Sequence, residues 1–106
     1  MRDNIKCLIG TIFKILGLYE KIKENENDET FTKENLIVYI EKTLIDIRAL
    51  KSFGENDEVA IKVLEKCELS TMGILEMIKS GQDDHKMIKS KVLDMTNDIS
   101  RYLEEW

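Results

Sequence analysis

The chain has 106 residues, 42% of them hydrophobic and 35% charged, and contains no proline. That length suits one domain, 1–106, and the composition is too apolar for a disordered chain and too charged for a membrane bundle. Sixteen basic against 21 acidic residues leave a net charge of −5, which speaks against a nucleic-acid partner, because binding to a phosphate backbone needs a basic patch to displace counterions.

Proline marks turns, edges and loops, so its absence favours long helices with short links. The opening residues, Met1 to Phe13, look briefly like a secretory leader. Lys14 interrupts the apolar run, however, and no small-residue cleavage site follows Gly17. No run approaches the roughly 20 apolar residues of a membrane span. The expected compartment is the cytoplasm, with Cys7 and Cys67 as reduced, buried hydrophobes rather than a disulfide.

The first segment, from about Asp3 to Lys23, repeats Ile5, Leu8, Ile9, Ile12, Ile15, Leu16, Tyr19 and Ile22 at helical spacing, with Asp3 as its N-cap. The acidic run from Glu24 to Glu29 breaks it. A second helix starts at a Thr30 or Thr32 cap and carries Leu36, Ile37, Ile40, Leu44, Ile47 and Leu50 before Phe53-Gly54 stops it. A third starts at Asn56 or Asp57, carries Ala60, Ile61, Leu64, Cys67, Thr71, Ile74, Leu75 and Ile78, and ends at Gly81. The weak helix formers at 70–73 predict a kink or break there. The fourth, with Asp83 or Asp84 as its cap, runs from about Asp84 to the C-terminus along Ile88, Val92, Met95, Ile99, Tyr102, Leu103 and Trp106. Four helices of similar length with short links predict an all-α, antiparallel up-down-up-down four-helix bundle.

Chemistry-bearing motifs fail in turn. His85 is the one histidine and has Gln82 rather than Glu at i−3, so a di-iron bundle is excluded. One histidine and two distant cysteines supply no zinc cluster. A calcium loop laid over 24–35 has Glu29 where glycine belongs and Asn35 in place of the bidentate Glu. Glu65 and Glu68 have the spacing of a magnesium-dependent nucleotide pyrophosphatase, with Asp94 and Asp98 as a second acidic pair. Their helical phase, though, sets Glu65 and Asp94 off the apolar stripes. Neither cysteine has a nucleophile's setting, and no glycine-rich phosphate loop occurs. The expectation is a non-enzyme without cofactor or metal, and the pyrophosphatase-like bundle is the minor alternative.

What remains is surface. Val38, Ile45 and Ala49 project away from the second helix's stripe, and Cys7 and Phe13 widen the first. Gly10 and Gly17 share one side of a helix in which they cost about 2 kcal/mol together, which suggests a packing reason for them. Gly10, Phe13, Gly17, Val38 and Ile45 are therefore expected to form a self-association surface, with Leu69 and Met72 as weaker support. Alternating helices also gather Glu24, Glu26, Asp28, Glu29, Asp83 and Asp84 into an acidic rim suited to steering a basic partner. By size, acidity and class the chain is similar to small helical proteins that block another protein, such as immunity proteins and inhibitors. A protein-binding module of that kind is the expected function, and a homodimeric structural or regulatory bundle is the first alternative.

Overall fold

The computed structural model describes residues 2–24, 32–53 and 57–104. They form α1 (Arg2–Glu24), α2 (Lys33–Phe53), α3 (Glu58–Ser80) and α4 (His85–Glu104), with no strand among the described residues. Each helix exists where the sequence repeats apolar residues every three or four positions, because burying that stripe stabilises a helix that is marginal alone.

α1 packs on α2 and α4, and α3 packs on the same two, so α1 and α3 stand diagonally across a four-cornered bundle. The end contacts are those of antiparallel neighbours. Arg2 at the head of α1 donates to the Leu103 carbonyl at the tail of α4 (2.7 Å), and Tyr102 in that tail donates to Asp57 at the head of α3 (2.8 Å). Along α2, Arg48 meets Met72 and Lys51 meets Glu68, so α3 runs the opposite way.

Ile5, Ile12, Ile15, Leu36, Ile40, Ile47, Leu64, Ile74, Ile88, Met95 and Ile99 fill the core. Three buried threonines interrupt it, and each hydroxyl has an acceptor. Thr43 donates to the Tyr39 carbonyl, Thr96 to the Val92 carbonyl, and Thr71 to the Met95 sulfur. Cys67 is wholly buried and its thiol is pushed up to about 12 by burial, whereas Cys7 is exposed, against the expectation that both lie inside.

Local chemistry sets the helix ends. Thr32, Asp57 and Asp84 each accept an amide hydrogen from the first turn of the helix that follows. At the end of α3, Gly81 takes the left-handed conformation (φ 73°), where a Cβ would be strained. Its amide bonds to the Ile78 carbonyl and that of Gln82 to the Met77 carbonyl. Two expectations change. Asp3 lies inside the first turn of α1 and is not its cap. Of the kink or break expected at 70–73, the break is absent, and α3 is one helix through these residues. Thr71 and Ile74 are buried against the bundle, and this packing outweighs the weak propensity of Ser70, Thr71 and Gly73. Gly54, Asn56 and Trp106 fall outside the described residues.

Candidate functional site

A groove of about 630 Å³ lies open between α2 and α3. At 100° per residue, Leu44 turns into the bundle while its neighbour Ile45 stands on the groove's lip. Met72 and Leu75 line the opposite wall, and Glu41, Arg48, Glu76 and Lys79 edge the two sides. Exposed apolar side chains extend this face: Ile45 is 64% exposed, Met72 42%, Leu69 68% and Val38 63%. At one end Glu68 forms ion pairs with Arg48 (3.5 Å) and Lys51 (3.7 Å), and Arg48 also reaches the Met72 sulfur (3.9 Å). The groove thus has an apolar floor and an edge on which acids and bases balance.

The acidic end has a different character. Glu24 closes α1, and Asp83 and Asp84 precede α4 at the same end of the bundle; Glu26, Asp28 and Glu29 lie outside the described residues. Asp83 accepts from the buried Tyr19 hydroxyl at 2.7 Å and from Lys23 at 2.9 Å. These two donors, the Tyr19 hydroxyl first, hold the Asp83 carboxyl below the usual aspartate range, while burial and the Asp83 carboxylate push the Tyr19 phenol up. Asp84 spends one oxygen capping α4, with Lys86 N at 2.9 Å. His85 stacks on Tyr19 with ring centroids 6.1 Å apart and lies 3.4 Å from Glu20. Lys23 and Lys33 flank Tyr19 and Asp83 as well. Of the acids expected on a steering rim, Asp83 is therefore fastened within the fold by Tyr19 and Lys23, and Asp84 is engaged in capping α4.

The five self-association candidates separate. Thr11 and Lys14 of α1 meet Tyr39 of α2. Phe13 shares the side of Glu20, seven residues on, which faces His85 of α4. Ile45 faces the opposite way, toward α3, with Val38 two turns before it on the same side. Gly10 and Gly17 are exposed, and a Cβ on either would meet nothing within 4 Å. The Val38–Ile45 half of the expected surface joins Leu69 and Met72 of α3 rather than Phe13 and the glycines.

The paired carboxylates also part. Glu68 turns toward the cations of α2, whereas Asp98 lies in the shallow α3–α4 groove beside Lys62, Lys66 and Arg101. Among the described residues no three His, Cys, Asp or Glu side chains converge as a metal site requires. Sequence reading noticed Met72 and Leu69 as outward-turned. It missed Leu75 and the charged edge of Glu41, Arg48, Glu76 and Lys79, because these matter only once α2 and α3 lie side by side. Comparison with protein-family models, curated proteins and solved structures finds no match.

Proposed function

We propose that this chain is a protein-binding helical module without catalytic chemistry. It acts by docking a partner's helix, apolar along one side, in the α2–α3 groove. The observation that supports this reading most is the convergence of Ile45, Met72 and Leu75 in one open groove with Val38 and Leu69 exposed beside it. Large side chains of this kind gain about 1.5–3 kcal/mol each when fully buried, so their clustering on an open face favours a covered state. A groove with an apolar floor and charged edges is the usual receptor for an amphipathic helix. Occlusion of a basic partner, as in an inhibitor or immunity-type protein, is one form such docking takes. The net charge of −5 favours it, while Asp83 and Asp84 contribute less because they serve the fold.

The test is capture from the native host with the wild-type chain and with Ile45→Glu, whose helicity is checked first by circular dichroism. A protein retained only by the wild type is then purified. It should bind Ile45→Glu at least about tenfold more weakly. Capture of the same set by both forms overturns the reading. Magnesium-dependent hydrolysis of a nucleoside triphosphate, abolished by Glu65→Ala or Glu68→Ala, would establish an enzyme instead.

A further inference from the structure

We propose that the helix pair occupying the α2–α3 face is α2 and α3 of a second copy of this chain, related by a two-fold axis running along the groove. The proposal rests on the docking reading above and names the occupant. Its first support is charge. Glu41 and Glu76 against Arg48 and Lys79 make the groove's edge neutral on a chain of net charge −5, so two copies meet there without the repulsion that an acidic face brings.

The second support is the register of those charges. Arg48 lies level with Met72, and α2 and α3 run antiparallel. Seven residues back along α2 therefore matches seven forward along α3, which sets Glu41 level with Lys79 across the groove. A two-fold axis along the groove keeps each level and exchanges the walls. Glu41 of one copy then faces Lys79 of the other, twice by symmetry, and Arg48 comes within about one helical turn of the second copy's Glu76. Between these pairs Ile45 meets Leu75 and Met72. The groove between α3 and α4 offers no such match, since its lining sets Lys62, Lys66 and Arg101 against one acid, Asp98, and self-contact there sets like charges together. Size is the third support. The molecule measures 46 × 21 × 21 Å, so one long side is large enough for the roughly 800 Å² per partner that a stable interface buries.

Sedimentation equilibrium of the whole chain, up to about 500 µM, provides the test. The expected result is a dimer with a dissociation constant in the micromolar range. Ile45→Glu should weaken it at least about tenfold. Glu41→Lys and Lys79→Glu should each weaken it about three- to tenfold, and the double reversal should restore it. Circular dichroism confirms that every variant remains helical. A wild-type monomer at the highest concentration overturns the proposal, as does a dimer indifferent to Ile45→Glu or a double reversal no better than the singles. A monomer that still binds a foreign protein through Ile45 removes this inference alone and leaves the docking reading standing. A monomer whose captured proteins ignore Ile45→Glu removes both.

Discussion

Replacing Asp83 by alanine removes the acceptor of the buried Tyr19 hydroxyl and the partner of Lys23 in one step. A hydrogen bond to a charged group in a partly buried place contributes about 1.5–3 kcal/mol. The Lys23 pair adds at most about 1 kcal/mol, because the lysine side chain is 52% exposed and screened by water. Together the loss is about 1.5–4 kcal/mol, or roughly 7–18 °C in Tm for a domain of this size. Urea unfolding followed by helical circular dichroism measures it. The pH dependence has a definite sign. A carboxyl held below its unfolded value stabilises the fold fully above that value, and the contribution drains away as pH falls through the folded one. Asp83 therefore supplies stability at neutral pH that is lost below about pH 4, and Asp83→Asn should flatten that acid-side slope. If Asp83→Ala costs less than about 0.5 kcal/mol, or the asparagine variant keeps the wild-type slope, the structural role assigned to Asp83 is wrong.

Asp57 caps α3 through the Ala60 amide and also accepts from Tyr102. Asp57→Ala should cost about 1–2 kcal/mol, and a double-mutant cycle with Tyr102→Phe should show about 1 kcal/mol of coupling in urea unfolding. A thiol reagent at pH 8 should modify one cysteine per folded chain, Cys7, and two after unfolding, because Cys67 is buried with its thiol raised to about 12; rapid reaction of both in the folded protein contradicts the packing. Gly10→Ala and Gly17→Ala should each raise stability by about 0.5–1 kcal/mol, because both sites are helical and open. A loss on either substitution, read by thermal melting, would show that something covers that face.

Where a residue's fate depends on its own neighbours along the chain, the sequence alone was enough. Ile88, Val92, Met95, Ile99 and Tyr102 are buried as their spacing implies, since a helical period points them all one way. A cap at Asn56 or Asp57, another at Asp83 or Asp84, and a stop at Gly81 were legible for the same reason, that their bonds close within a few residues; the structure puts the two caps at Asp57 and Asp84. Tertiary structure decided what depends on residues far apart. Asp83 became an internal acceptor because Tyr19, 64 positions earlier, reaches it. The weak stretch at 70–73 stays helical because Thr71 and Ile74 are buried against other helices. Phe13 and Ile45 share no surface because α1 and α2 turn those residues toward different neighbours. The groove follows from the same cause. Ile45 and Met72 are each an unremarkable exposed side chain on a separate helix, and they line one cleft because α2 and α3 pack antiparallel, which is a relation between helices that no single period encodes.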